Sequence, residues 1–276
     1  MLIKPRQLFE VLTLLMKNLF IIILLFLAGV FNNAQTGYNE SKTIRVMTFN
    51  ILHGATTKGD YDLDLLADVI LKADPDLVAL QEVDFKTNRA RKYDLVLELA
   101  RRTKMVPLFG RAMYYDGGEY GEGILSKKTI IKSRSVSLPY LEGFEPRSAL
   151  EITVVIGEND TISFIGTHLD HVNEETNRLM QAEKIISVFL TNKYPTILAG
   201  DLNDVPGSNT INLLEQVWKL TSGNNPLPTY PSNSPQSKID YIMVTPSDRW
   251  NILETKVIQD SIASDHCAYL SVLELK

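Results

Sequence analysis

The stretch Thr196-Ile197-Leu198-Ala199-Gly200-Asp201-Leu202-Asn203-Asp204 is a short apolar run that ends in a carboxylate and a carboxamide two residues apart. On extended backbone, residues i and i+2 share a face. Asp201 and Asn203 would then point together, the first able to take a proton from water and the second to donate to an oxyanion. Asp and Asn also close strands as Asx turns, so this stretch alone leaves both readings open. Recurrence favours chemistry. Asn50, Glu82, His168, Asp240 and the pair Asp265-His266 likewise stand at or beside the ends of apolar, β-type runs. Carboxylates, amides and imidazoles gathered at strand ends suit a hard cation and a phosphoester. Magnesium takes oxygen ligands and keeps water, so Glu82, Asn50 and Asp265 suffice as a sparse metal site. All four histidines, His53, His168, His171 and His266, lie in or beside these segments.

Competing chemistries are weaker. Zinc sites want His or Cys at short helical spacing, and His168-Leu169-Asp170-His171 offers only a loop-like pair. There is no Gly-x-Ser-x-Gly elbow and no Gly-rich loop ending in Lys-Ser/Thr. Arg89, Arg147 and Arg178 are each candidates to clamp a phosphate, against the plainer reading of solvated surface charge.

The elements that must carry these residues alternate in type. Residues 44–50 alternate as a strand, and 62–72 place Leu63, Leu66, Ala67 and Ile70 on one helical face. Asp74-Pro75 ends that helix. A strand is expected over 76–82 and a helix over 93–102. The middle is strand-rich, with runs at 123–126, 130–138, 149–156 and 161–168 and a hairpin turn at 158–160. A helix over 177–190 would bury Leu179, Ala182, Ile186 and Phe189. The central strand follows, then a short helix over 209–218 and a polar, Pro-rich loop over 224–238. Strands over 238–244, 253–258 and 266–275 close the chain. Strand-helix-strand units in each half with hairpins between them give an α/β sandwich, and no linker interrupts residues 43–276.

Residues 19–31 form an unbroken apolar run preceded by Lys17 and followed by Asn32-Asn33-Ala34-Gln35. Thirteen residues fit a signal-peptide core better than a bilayer span, which needs about 20. Residues 1–34 are therefore expected to be a signal peptide with cleavage after Ala34, and Met16 is a candidate true start. Residues 35–42 are a linker. The protein is expected to be exported, periplasmic or extracellular, with no membrane span left after cleavage. The alternative is tethering by an uncleaved N-terminal segment. Cys267 is the single cysteine, so no internal disulfide is possible. The formal charge is −5; residues 1–34 carry +2, which leaves −7 for the remainder. Such an acidic domain lacks the broad basic footprint of a tight nucleic-acid binder.

The ordered set Met47-Thr48-Phe49-Asn50-Ile51, Leu80-Gln81-Glu82-Val83-Asp84, Gly123-Ile124-Leu125-Ser126, Thr167-His168-Leu169-Asp170-His171, Gly200-Asp201-Leu202-Asn203, Ile239-Asp240-Tyr241-Ile242 and Ser264-Asp265-His266 resembles the endonuclease/exonuclease/phosphatase superfamily. The resemblance covers nearly everything after residue 43. It implies a four-layer α/β/β/α sandwich, as in deoxyribonuclease I, with the site at one edge of the paired sheets. It assigns Glu82, Asn50 and Asp265 to a divalent metal, magnesium or alternatively manganese. By the same resemblance Asp201 aligns or deprotonates water, Asn203 and His168 contact phosphate, and Asp240 orients His266. Glu122 is expected to support His168, and Arg89 and Arg147 to meet substrate.

Taken together, these features suit a monomeric, metal-dependent phosphoesterase acting on a small phosphodiester or a phospholipid-type substrate. No aromatic-plus-basic run that would track a polynucleotide is apparent in the sequence. A secreted nuclease is the alternative, and a non-catalytic binding protein on the same fold is the alternative from another class.

Overall fold

The computed structural model describes residues 16–19, 42–157 and 160–276. The chain divides into two compact units, Met1–Glu40 and Ser41–Lys276. Within the first, residues 16–19 are helical and exposed. The apolar run beyond Leu19, the cleavage position and nearly all of the linker lie outside the described residues, as do Glu158 and Asn159 of the expected hairpin turn. Among the described residues no helix is long and apolar enough to cross a membrane.

The second unit contains twelve described strands and four α-helices. The first half comprises β1 (Thr43–Asn50), α1 (Leu63–Ala73), β2 (Leu77–Phe85), α2 (Leu95–Thr103), β3 (Val106–Tyr115), β4 (Gly118–Ser126), β5 (Ile130–Ser137) and β6 (Ser148–Ile156). After it come β7 (Asp160–His168), α3 (Thr176–Phe189), β8 (Thr196–Asp201), α4 (Asn209–Glu215), β9 (Lys219–Leu220), β10 (Asp240–Thr245), β11 (Trp250–Ile258) and β12 (Ala268–Leu275). Asp62 and Asp94 cap α1 and α2 by accepting the amides of Leu65 and Leu97.

Two six-stranded sheets form, ordered β11-β12-β1-β2-β4-β3 and β5-β6-β7-β8-β10-β9. Each carries one parallel pair, β1 with β2 and β7 with β8, built by a strand-helix-strand unit. The remaining pairs are antiparallel. One apolar core lies between the sheets, with Val46, Ala79, Ile124, Phe164, Ala199 and Ile242 among its members. A second packs α1 and α2 on the outer face of the first sheet. A third packs α3 and α4 on the second. This is the four-layer α/β/β/α sandwich that the motifs imply.

Three local differences separate the structure from the sequence reading. The long edge strand β3 is not apparent as an alternating run, because its pairing with β4 is interrupted by a bulge between Arg111 and Met113. Helix α3 is rotated from its expected face: Arg178, Gln181, Ala182, Ile185 and Phe189 are buried, while Leu179 and Ile186 are only partly so. Gln181 accepts the amide of Asp170 (2.9 Å) and Arg178 donates to the carbonyls of Asp170 and Val172. The loop after β7 thus draws polar residues to the buried side. Helix α4 ends at Glu215, short of the expected 218.

Candidate active site

Strand alternation places the polar cluster. Along β1, Ile44 and Val46 belong to the inter-sheet core, and Thr48 and Asn50 continue the same phase. Likewise Ile162 and Phe164 lead to His168, Ile197 and Ala199 to Asp201, Ile124 to Glu122, and Val244 and Ile242 to Asp240. At one edge the inner faces of both sheets change from apolar to polar. Register then sets neighbours: His168 pairs with Asp201 across the parallel strands and Asp240 with Asp201 across the antiparallel ones. Glycine is required at 200, where a Cβ would collide with the carbonyl oxygen of Thr167.

Asp201 is buried at the centre. His266 Nε2 lies 3.7 Å and His168 Nε2 3.5 Å from its Oδ2. His266 Nδ1 pairs with Asp240 Oδ2 at 3.0 Å. Asn203, in left-handed conformation (φ 51°), donates its backbone amide to Asp201 Oδ1 (3.0 Å) and sets its carboxamide 2.9 Å from His168 Nε2. Burial, with the charge of Asp240, raises the Asp201 carboxyl above the ordinary carboxylate range. Burial opposes protonation of His266, but Asp240 and Asp201 outweigh it and hold the imidazole above its ordinary range. Desolvation and then Arg147 push His168 well below that range, so it is neutral.

Glu82 occupies a bulge between Leu80 and Val83 with φ 57°, a conformation that L-residues adopt at a cost. The bulge presents its carboxylate to the pocket. Burial disfavours its charge, but hydrogen bonds from His53 (3.4 Å) and Asn50 (3.1 Å) contribute to bringing it down to about 2. Asn50 meets the expected partner with an unexpected atom. Its Nδ2 donates to Glu82 and to Asp201 (3.2 Å), while Oδ1 accepts the amide of Leu52. Here Asn50 is a donor between two carboxylates. Asp265 lines the same pocket, its ionisation opposed by burial and by Glu82, and only partly favoured by His266. Ser264 ties this segment to the end of β1 through the carbonyl of Asn50 (2.7 Å).

A cavity of about 490 Å³ opens over these groups, and all four histidines line it. Tyr230, from the expected polar loop, stands against the His266 ring with centroids 4.9 Å apart. That loop is held to the Asp265 segment by Ser232 and Thr229. Behind the pair, buried Lys238 donates to the carbonyl of Asp240 (2.9 Å) over the Tyr269 ring. Burial brings its amine down to about 8.

Arg89 and Arg147 line the cavity where substrate was expected, Arg178 does not, and Glu122 does not meet His168. Arg147 is buried; its Nη1 lies 3.1 Å from His168 Nδ1, and its Nη2 lies 3.3 Å from His171 Nδ1 and 3.1 Å from Glu145. No hydrogen bond joins Glu122 to His168, whose Nδ1 faces Arg147 instead. Glu122 is fully buried, and desolvation raises its carboxyl well above the ordinary range. Arg89 is held in a fork by buried Asp84 (2.7 and 2.9 Å) and lies 4.6 Å from the centre of the Tyr115 ring. Arg178 is absorbed by the loop after β7 and by Asp204 (3.2 Å). None of the three is a free surface charge.

Such a site, with an Asp–His couple and a second histidine around a central carboxylate at the edge of an α/β/β/α sandwich, defines a phosphoester-hydrolase architecture. The chain belongs to the Endonuclease/Exonuclease/phosphatase family, whose sequence model matches residues 47–266. Members of this family are typically divalent-metal-dependent hydrolases of phosphoester bonds. Among solved structures, the chain is similar to a conserved protein of unknown function from Enterococcus faecalis (24% identity, 84% of this chain and 100% of that one, TM-score 0.71). It is also similar to a mannosyl-6-phosphatase from Bacteroides thetaiotaomicron (18%, 83% and 99%, 0.65). A third is the catalytic domain of human Nocturnin, described with a bound sulfate anion (17%, 86% and 96%, 0.62). No curated protein sequence matches the chain.

Two donor groups bear on a cation. Asp201, Asp240 and His266 offer atoms within 4.8 Å of one another, a spacing that could hold one. Their donors are already turned on each other, and a protonated His266 is no ligand. Glu82 and Asp265 instead face the open pocket as carboxylates that oppose each other's charge, the donor chemistry of a hard dication.

Proposed function

We propose that the chain is an exported, magnesium-dependent phosphoesterase acting on a small phosphodiester or a phospholipid-type ester, with manganese as a substitute ion. The observation that carries this reading is Asp201, raised into a proton-accepting range and set 3.5–3.7 Å from two imidazoles above a 490 Å³ pocket. Glu82 and Asp265, with Asn50 beside them, would hold the metal. When bound, such an ion neutralises charge on the phosphoryl group.

Asp201 takes the proton from the attacking water. His266, kept protonated by Asp240, stabilises the charge developing on phosphorus oxygens and carries a proton to the leaving group. Asn203 and neutral His168 orient the phosphate. A pocket of this size encloses a small ester, and the −7 charge outside residues 1–34 works against a duplex. The mannosyl-6-phosphatase shares the fold and is in keeping with a small substrate.

The test is a panel of phosphodiesters, phosphomonoesters, phospholipids and plasmid DNA with added magnesium or manganese. Metal-dependent turnover of a small ester is expected. Rapid, salt-sensitive plasmid nicking with little small-ester activity would make the protein a nuclease. Absence of turnover on the whole panel would leave a binding protein. For export, mass spectrometry of the native protein is expected to find a chain beginning near Gln35. An intact apolar run on membrane-bound protein would show tethering.

A further inference from the structure

Beside the catalytic pocket lies a second cavity, of about 550 Å³, formed by Phe85, Lys86, the tyrosines 114 and 115 and the turn that follows them. Tyr115 lines both cavities. The sequence shows no aromatic-plus-basic run, but the fold assembles one from the end of β2 and the β3–β4 hairpin. Lys86 Nζ stands 5.1 Å from the Phe85 ring centre, Arg111 lies 4.2 Å over Tyr114, and Arg89 lies over both Tyr115 and Tyr120. Tyr114 remains 74% exposed and Tyr115 39%. Exposed rings of this kind ordinarily move, and these are held.

Arg89 is fixed by its fork to Asp84, which also accepts from Thr87 (2.6 Å). Asp116, in the hairpin turn, accepts the backbone amide of Arg89 (2.7 Å) and the side chain of Asn88 (3.1 Å). Lys92 donates to the carbonyl of Gly117 (3.1 Å). Gly118 lies so close to Phe85 and Lys86 that any Cβ would strike their backbone. The loop 87–92 and the hairpin are thus joined on both sides of the tyrosines. Rigid ring faces held before a ligand arrives bind with less ordering cost than mobile ones.

We propose that this braced hairpin is a stacking platform for the ring of the substrate's alcohol half, a pyranose or a base, with Tyr115 as the shared wall between phosphate and ring. The proposal rests on the phosphoesterase reading for what occupies the neighbouring pocket. Tyrosine faces pack against the apolar face of either ring, Arg89 keeps Tyr115 in place, and Lys86 supplies a cation at the far end. Arg89 acts through Tyr115 and is a positioning residue.

Three probes separate the outcomes: mannose 6-phosphate, adenosine 5′-monophosphate and glycerol 1-phosphate, which has no ring. In Tyr115→Leu, the ratio of kcat/KM for a ring ester to that for glycerol 1-phosphate is expected to fall about fivefold or more, carried by KM. Tyr115→Phe keeps the ring face and is expected to restore the ratio. A fall for only one ring ester identifies that ring as the occupant. Unchanged ratios for both overturn the platform. If the wild-type protein hydrolyses none of these three monoesters, the diester and phospholipid arms of the broader panel still decide the hydrolase reading. Ligand-observed NMR with the same probes in EDTA then reads the platform separately, and equal ring contacts in wild type and Tyr115→Leu would overturn it.

Discussion

His266 Nδ1 lies 3.0 Å from Asp240 Oδ2, and the other side of the ring brings Nε2 to 3.7 Å from Asp201. One imidazole therefore stands between two carboxylates, one orienting it and one facing the pocket. Asp240 acts on both of its neighbours, because its charge raises His266 and Asp201 together.

The pH dependence follows with a definite sign. Asp201 must be ionised to accept a proton, so turnover falls as pH drops through its raised pKa, above the ordinary carboxylate range. His266 must be protonated, so turnover falls again as pH rises through a pKa above the ordinary imidazole range. Removing the negative charge in Asp240→Asn lowers both pKa values, and both limbs of the kcat/KM profile should move to lower pH. Limbs that stay in place in this variant would show that Asp240 is not their common cause.

Asp201→Asn and His266→Ala should each lower turnover by roughly 10²-fold or more. Both side chains sit at the polar edge of the inner faces, and the apolar core between the sheets is untouched by either change. Circular dichroism should show both proteins folded, with His266→Ala less stable in urea because it leaves Asp240 buried without its partner. Near wild-type activity in either variant would refute its role.

Chelation should abolish turnover, and Glu82→Gln should raise the half-saturating magnesium concentration about tenfold or more, the scale seen when a metal site loses an anionic donor or its support. The His53 hydrogen bond helps to hold the Glu82 carboxyl down at about 2, so His53→Ala should raise it and weaken magnesium binding at mildly acidic pH. Isothermal titration reads both effects without turnover. Full activity in excess EDTA would exclude the metal.

Arg147→Met should cost about 2–4 kcal/mol in urea unfolding, because it removes the buried hydrogen bond to His168, the half-buried one to His171 and the Glu145 pair. It should also lower turnover by releasing the His168 ring. Arg147→Lys keeps the charge but cannot reach both imidazoles with one planar group, and should fall between the two. A purely phosphate-binding arginine would instead raise KM and leave stability unchanged.

Much of the site was legible in the chain because strands alternate. Asn50, His168, Asp201 and Asp240 each continue the inward phase of an apolar run, so their convergence at one edge follows from a period of two once two sheets face each other. What alternation does not encode is which atom meets which. The side-chain amide of Asn50 is oriented by Leu52, Glu82 is presented by a bulge, and His168 meets Arg147, just before the start of β6, and not Glu122 on β4 of the other sheet. Arg89 and Arg178 resemble free clamps in sequence because their partners, Asp84 near the end of β2 and Asp204 in the loop after β8, become partners only when the loops that follow β2 and β8 fold. The buried face of α3 was misplaced for the same reason: Gln181 and Arg178 are buried by hydrogen bonds to the loop after β7, which hydrophobic periodicity does not count. Residue types and local period are written along one strand of chain, whereas the bonds from Asn50 to Glu82 and Asp201, the Arg147–His168 contact and the braced tyrosines join segments well separated in sequence, and only their packing in three dimensions decides them.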